Sequence, residues 1–504
     1  MAQESGMPVE ETLDPEDWES MRALGHRMLD DMLDYVRTVR ERPVWRHAPD
    51  QVKAHFSSPM PLDPQVPEEI YAEFLEYVLP YPVGNIHPRF WGWVFGTGTV
   101  MGALGEFLAA AMNTNSGDFD HHSANHVEKQ VLDWFKDMLS FPAAASGLLT
   151  SGCSAANLIG LTVARNARAG FDLRRQGLRA APRPLTLYAS QEIHSSIQKA
   201  IELLGLGSTA LRRVPVNDDF QIDLDALQTR IAQDRAEGYQ PFCVVGAAGT
   251  TNTGAVDDLD ALADICQQGD LWLHVDGAFG AWAALVPEVK DLVAGMERAD
   301  SLAFDLHKWM YMPYEIGCVL VQHEGAHREA FSLTPAYLAR GGSGRGITGG
   351  DLPWLCDYGF QLSRGFRALK AWISLKEHGQ RKYGRLIGQN IAQARYLADL
   401  VVSTPELELV APVPLNVVCF RYTRPGLGEA GLDKVNEQIT VELQEEGIAV
   451  PSMTTIRGKR VLRVANTNHR SRREDFDVLV REVVRIGKEK TIGVEYQCAE
   501  GQVF

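Results

Sequence analysis

The sequence predicts an α/β protein built on a largely parallel sheet. From about residue 147, short apolar runs alternate with stretches of helical periodicity, the pattern of strand–helix–strand units. Gly152, Asp276 and Lys308 each sit just past one of those runs, where such folds place their active sites, beyond the carboxyl ends of the strands. The chain has 504 residues, 45% apolar and 23% charged, enough for a large core and more than one domain.

In chain order, residues 14–40 form an amphipathic helix, with Trp18, Met21, Leu24, Met28, Met32 and Tyr35 at spacings of three and four. Such a helix packs either on a partner subunit or on its own domain. A proline-punctuated extended stretch follows to about residue 67, and then helices over 68–80 and 101–112. The strand segments are Gly147–Thr150, Leu185–Ala189, Phe242–Ala247, Leu271–Val275, Ser301–Phe304 and Cys318–Gln322. Between them lie helices at Ser154–Ala167, Ser195–Leu204, Leu224–Glu237 and Leu259–Gln267. Residues 338–351 are glycine-dense and predict a mobile loop. Their partial Gly-x-Gly pattern neither follows a strand nor opens a helix, so it is no dinucleotide fingerprint. One long helix runs from about Gly365 into the 370s and another spans 385–402. The region 405–490 alternates strand and helix again: Leu415–Tyr422, Leu432–Glu446, Arg460–Ala465, Arg473–Lys488. The expected domains are an N-terminal helical and extended segment (1–95), a large α/β domain (96–375) and a small C-terminal α/β domain (376–504).

A net charge of −16 argues against nucleic acid or an anionic membrane as a main partner. The first residues carry no basic-then-apolar signal, and no apolar run is long enough to span a bilayer. Seven scattered cysteines show no CxxC spacing and read as reduced core residues, so no metal is expected and a cytoplasmic location is.

The chemistry concentrates in Ser301-Leu-Ala-Phe-Asp-Leu-His-Lys-Trp309 and Leu273-His-Val-Asp-Gly-Ala278. A lysine that forms a Schiff base needs a low-dielectric pocket that exposes its neutral amine. An aspartate at the end of an apolar run needs a cationic partner to stay ionised. Pyridoxal 5'-phosphate meets both needs, its aldehyde taking Lys308 and its ring nitrogen taking Asp276. Each residue alone also reads as a solvated lysine or a helix cap. Thr150-Ser-Gly-Cys-Ser-Ala-Ala-Asn157 joins a strand to a helix and makes either a phosphate cup or an ordinary serine-capped helix start. Gly249-Thr-Thr-Asn-Thr-Gly254 is either a polar loop or a place from which Thr251 reaches a bound ring. His194, in Ser190-Gln-Glu-Ile-His-Ser-Ser196, either stacks on a planar cofactor or caps the next helix.

In order and spacing these segments, with Leu362-Ser-Arg-Gly-Phe-Arg-Ala-Leu-Lys370, resemble the pyridoxal-phosphate-dependent group II amino-acid decarboxylases of the aromatic-L-amino-acid type, from the N-terminal helix to about residue 490. The resemblance implies a fold-type I enzyme with an N-terminal helical arm. It implies that Lys308 holds the cofactor, Asp276 pairs with its ring nitrogen, His194 stacks on one face and Ala278 lies on the other. Cys153 and Ser154 would bind phosphate with His307 near it, and Thr251 would lie by the ring substituents. Asp305 stands where some members have Asn, which adds a negative charge on the phosphate side. Tyr337, in Thr334-Pro-Ala-Tyr-Leu338, matches the tyrosine that returns a proton to the substrate's α-carbon. Members with Phe there tend to make aldehydes, so the resemblance implies decarboxylation to the amine, with the glycine-rich stretch as a lid. A homodimer is implied as well.

Ile86-His-Pro-Arg-Phe-Trp-Gly-Trp-Val94 matches the family's substrate-side motif. Trp91, Trp93 and Phe95 either line an aromatic pocket or pack as core, with Trp93 implied closest to substrate. In Met112-Asn-Thr-Asn-Ser-Gly-Asp-Phe119, Asn115 and Gly117 stand where animal aromatic decarboxylases carry bulky apolar residues, and the Asn-Thr-Asn run is similar to the glutamate-decarboxylase branch. An aromatic L-amino acid is the expected substrate, with an acidic one as the alternative and an aldehyde synthase as the second reaction type. Arg463 either serves a carboxylate or makes a structural ion pair.

Overall fold

A computed structural model describes residues 11–117, 122–333, 346–347 and 353–500, with side chains through Thr491. The chain forms two compact units, residues up to Arg42 with Arg46–Pro82, and Pro43–Trp45 with Val83 onward. The first is helical. Helix Trp18–Arg37 starts where the Asp17 carboxylate accepts the backbone N–H of Glu19 and Ser20. The stretch after it is not extended throughout, because Asp50–His55 and Pro67–Glu73 are helices. The second opens on a proline, whose missing N–H costs nothing there. Tyr71 donates its hydroxyl to Asp31 at 2.8 Å and ties two of these helices together. Of the predicted apolar stripe only Leu24 is buried, whereas Trp18 and Met28 are exposed.

The second unit is built on a seven-stranded sheet. Its strands are β1 (Ser146–Thr150), β2 (Leu185–Ser190), β3 (Leu211–Val214), β4 (Gln240–Ala247), β5 (Trp272–Asp276), β6 (Ser301–Asp305) and β7 (Gly317–Val321). Their order is β1-β7-β6-β5-β4-β2-β3. Strands β2 to β6 pair in parallel, and β7 runs against both β6 and β1. The six predicted strands are all present. β3 was not expected, since Leu-Arg-Arg-Val offers only four residues and two charges. Strands β2, β5, β6 and β7 are buried along their whole length, which is why they read as continuous apolar runs. Helix Cys153–Arg168 covers β5, β6 and β7.

Two helical segments differ from expectation. Ser123–Met138 is a helix that begins at His122 without a side-chain cap, so it lacks the usual start signal. Arg367–Ser403 is two helices that meet at a kink at Gly379 (φ 69°, ψ 154°), so the two predicted helices are present and adjoin there.

The C-terminal sheet has strands β8 (Leu407–Leu409), β9 (Val417–Tyr422), β10 (Ser452–Ile456) and β11 (Lys459–Ala465), in the order β10-β11-β9-β8 and antiparallel throughout. β10 and β11 form a hairpin through Arg457 and Gly458, both at positive φ (49° and 82°), a turn whose twist suits a two-residue connection. Among the described residues no helix is long and apolar enough to cross a membrane.

Candidate active site

The loops that leave β1, β2, β4, β5 and β6 emerge from one edge of the sheet, since these strands share a direction. They carry Cys153, His194, Thr251, Asp276 and Lys308. β7 sets the spacing: Thr150 and Asp305 both register with Gly317. A Cβ at Gly317 would lie 2.6 Å from Gly152 and 2.8 Å from the Asp305 carboxylate. Glycine there therefore lets the loop after β1 close onto Asp305, whose Oδ1 accepts the Cys153 N–H at 2.6 Å.

The loops enclose a cavity of about 210 Å³ whose wall includes Trp93, Phe95, Glu192, His194, Thr251, Asp276, Ala278 and Lys308. Lys308 Nζ lies 2.9 Å from Asp305 Oδ2. Burial acts to lower the lysine's pKa, but the adjoining Asp305 carboxylate, with Cys153 and Asp276 beside it, outweighs that and holds the ammonium above its usual range. The sequence predicts a readily neutral amine here, and the carboxylate reverses that.

Asp276 is 5% exposed. It accepts hydrogen bonds from Asn157 Nδ2 at 3.0 Å, the Ala278 N–H at 3.1 Å and the Cys153 thiol at 3.5 Å. Burial first, then Asp276 and Asp305, push the Cys153 thiol up, so it stays a donor. Among the described residues Asp276 has no cationic partner. A buried carboxylate on a cavity wall that makes no ion pair, across from a lysine already paired with Asp305, fits a group that brings a cation with it.

Behind Asp276 runs a directional chain of hydrogen bonds. Trp272 Nε1–H donates to Ser301 Oγ at 2.8 Å, and Ser301 lies 2.7 Å from His274 Nδ1. His274 Nε2 lies 2.9 Å from Asn157 Oδ1, which can only accept. Burial pushes the imidazole down to about 4, so it is neutral and carries its proton on Nε2. Asn157 Nδ2 then serves Asp276 and Ser196 Oγ (3.1 Å) together. Ser196 in turn donates both its N–H (3.2 Å) and its hydroxyl (2.9 Å) to His194 Nδ1, which leaves the neutral His194 proton on Nε2. Desolvation lowers the His194 pKa, against the pull of Asp276. A Cβ at Gly160 would sit 2.7 Å from His274, so this helix position leaves room for the imidazole. His307 is also held neutral by burial against Asp305, with Nε2 3.6 Å from that carboxylate and Nδ1 accepting the Ile316 N–H. Gly96 lies against the backbone of His307 and Lys308, and any Cβ there would overlap their carbonyls.

Trp93 and Phe95 stack at 5.5 Å, and Phe90 and Tyr314 extend the cluster. Trp93 has φ 53°, a strained value for a bulky residue, and its carbonyl is held by Arg463 Nη1 at 2.8 Å. Arg463 also bonds the Asn252 carbonyl and Ser452 Oγ but no carboxylate, so it makes no ion pair among the described residues. Burial lowers it to about 10, and its Nη2 has no partner among the described residues.

The expected residues separate accordingly. His194, Thr251, Asp276, Ala278, Lys308, Trp93 and Phe95 line the cavity. Cys153, Asp305 and His307 adjoin it through the contacts above. Ser154 is exposed in the first helical turn beside them. Trp91 does not reach the cavity. It is fully buried in the C-terminal core, stacked on Phe476 at 4.8 Å with its N–H on Ser471, which is the core-packing alternative. Asn115 lies off the cavity wall, its Oδ1 accepting the Arg364 N–H at 2.8 Å. Tyr337 lies outside the described residues. Asn157, Ser196, Glu192 and Gly96 were not singled out from sequence. For Asn157 a signal existed: it lies four residues after Cys153, one helical turn on, so both reach Asp276 from one helix face.

Residues 49–423 match the pyridoxal-dependent decarboxylase conserved domain. An aromatic-L-amino-acid decarboxylase of Bacillus atrophaeus is 32% identical over 484 residues, covering 95% of this chain and 98% of its own. A histidine decarboxylase of Mus musculus is 29% identical over 476 residues, covering 91% of this chain and 69% of its own. The crystal structure of Oryza sativa TDC with PLP and tryptamine superposes with a TM-score of 0.87 at 26% identity, covering 95% of this chain and 100% of that one.

Proposed function

Because the chain belongs to the pyridoxal-dependent decarboxylases, lyases that use pyridoxal 5'-phosphate to remove the carboxyl group of an amino acid, we propose that its own substrate is an aromatic L-amino acid, converted to the amine and CO2. The observation that carries this is the cavity wall: Trp93 and Phe95 present an aromatic surface, and Lys308, already paired with Asp305, is the only lysine or arginine among the described lining residues. A side-chain carboxylate would find no fixed cation there. This weighs against the acidic alternative suggested by Asn113-Thr-Asn115, and Asn115 is engaged with Arg364 instead.

The bound cofactor supplies an electron sink for the bond to the departing carboxyl group. Around it, Lys308 would provide the covalent anchor and Asp276 the counter-charge for the ring nitrogen. His194 and Ala278 would hold the two ring faces and Thr251 the ring substituents. Cys153, Ser154 and His307 would hold the phosphate side, with Asp305 placing the lysine between uses. Trp93 and Phe95 would shield the reacting bond from water. Tyr337 would return a proton to the α-carbon, which favours amine over aldehyde as product. The uncovered apolar residues Phe107, Leu108 and Met112 of helix Val100–Met112 support a homodimer. The free cysteines among the described residues support a reducing, cytoplasmic setting.

The test is a product screen by mass spectrometry, with cofactor-reconstituted protein and each common L-amino acid and L-DOPA. Amine from tryptophan, tyrosine, phenylalanine or DOPA is expected. Amine from glutamate or aspartate alone would overturn the aromatic reading, and aldehyde with peroxide would overturn the role given to Tyr337.

A further inference from the structure

We infer that Glu192 is a specificity-determining residue, selecting aromatic side chains that carry a hydrogen-bond donor (phenol, catechol or indole N–H) over a bare phenyl ring and turning away side-chain carboxylates. The inference rests on the aromatic reading above and deepens it.

Glu192 lies two residues before His194, on the cavity wall that also holds Trp93, Phe95 and Thr251. Its position is fixed from the other sheet. Asn252 Nδ2 donates to Glu192 Oε2 at 2.8 Å, and Thr454 of β10 donates to Asn252 Oδ1 at 2.9 Å. The Asn252 carbonyl accepts Arg463 Nε at 3.1 Å and the Cys419 thiol at 3.2 Å, from β11 and β9. Asn252 is thus gripped at both ends and presents its amide to one oxygen of Glu192.

The other oxygen, Oε1, makes no hydrogen bond among the described residues, and Glu192 forms no ion pair with any of them. A carboxylate can only accept, so the wall that presents Trp93 and Phe95 also carries a tethered acceptor with spare capacity. A ring hydroxyl or indole N–H pointed at it gains a charge-assisted hydrogen bond, which a phenyl ring cannot make. A substrate carboxylate there meets like charge, and the one lysine among the described lining residues is already paired with Asp305. The exposed-acid alternative, a solvated glutamate of no consequence, leaves the tether from three strands without a purpose.

The test measures kcat/KM of the holoenzyme for L-tyrosine, L-phenylalanine and L-glutamate in the native protein, Glu192→Gln and Glu192→Ala. Calorimetry adds the binding of two unreactive ligands without an amine, 3-(4-hydroxyphenyl)propanoate and 3-phenylpropanoate. The native enzyme is expected to favour tyrosine over phenylalanine by roughly tenfold or more, the scale of one charge-assisted hydrogen bond, mainly through KM. Glu192→Ala should lose most of that ratio. Glu192→Gln, whose amide oxygen still accepts, should keep part of it while discriminating less against glutamate. The ligand pair should show the same ordering. A tyrosine-to-phenylalanine ratio and a ligand ratio that Glu192→Ala leaves unchanged would overturn the role of Glu192 and leave the aromatic reading standing. Failure of every aromatic amino acid to yield amine would overturn the aromatic reading itself.

Discussion

Lys308 and Asp305 hold each other at 2.9 Å, and with Lys308 as the proposed anchor that contact sets an expectation for how the cofactor is taken up. A lysine must shed its proton before its amine can attack an aldehyde. Asp305 keeps the Lys308 pKa above the ordinary range, so the neutral fraction is small at neutral pH and grows as pH rises. Asp305→Asn removes the nearest opposing charge and leaves burial to act against the weaker pull of Asp276 and Cys153, which lowers the pKa. Cofactor capture by the Asp305→Asn apoprotein should therefore be faster at pH 7 than in the native protein, with its pH dependence moved to lower pH. Stopped-flow absorbance of the lysine-bound cofactor reads this, and an unchanged rate profile would refute it. Gly160 supplies a second case. Alanine in mid-helix ordinarily stabilises by about 1 kcal/mol relative to glycine. At Gly160 it would press on His274, and through Asn157 disturb the hydrogen bonds to Asp276 and to Ser196, which holds His194. Loss of one bond to a charged group makes cofactor binding roughly tenfold weaker. Fluorescence titration of the Gly160→Ala apoprotein measures it, and native affinity would show that the chain behind Asp276 has slack.

At the scale of elements, the break at Gly379 is the clearest single-residue dependence. Its φ of 69° with ψ 154° is open to glycine and strained for other residues. Gly379→Ala should destabilise the protein by roughly 1–3 kcal/mol, read as a lower melting temperature with kcat/KM retained. A native melting temperature would mean the kink tolerates a side chain. The strands of the large sheet were legible in sequence because burial on both faces leaves continuous apolar runs. β3 was not, because an edge strand with two arginines needs neither face apolar. Helix Ser123–Met138 was hidden by its missing cap. At the site, Lys308, Asp276 and His194 were legible because each follows a strand in a motif of its own. Asn157 and Glu192 were not, because their meaning depends on partners far off in sequence: Asp276 for the one, Thr454 through Asn252 for the other. Trp91 and Trp93 show the same limit. Two tryptophans one residue apart in a single motif are divided between the C-terminal core and the cavity, and only the backbone turn at Trp93 separates them.

For the whole molecule, the uncovered apolar surface on helix Val100–Met112 sets an expectation about assembly. Phe107 is 68% exposed and Met112 56%. Light scattering on the eluted peak should give twice the chain mass, and Phe107→Glu with Met112→Glu should shift it toward one chain. A native protein that elutes as a monomer at micromolar concentration would refute the dimer.

The Asp276 carboxylate, buried without an ion pair among the described residues, also bears on how long the protein lasts in a cell. A ligand that binds only the folded state adds RT ln(1 + [L]/Kd) to its stability, about 4 kcal/mol at a thousandfold excess over Kd. Without the cofactor that contribution is lost, and the fraction of chains open to proteases rises accordingly. Cofactor supply is then expected to set the half-life of this polypeptide as well as the fraction of it that is active, so that scarcity would clear the protein away as well as idle it.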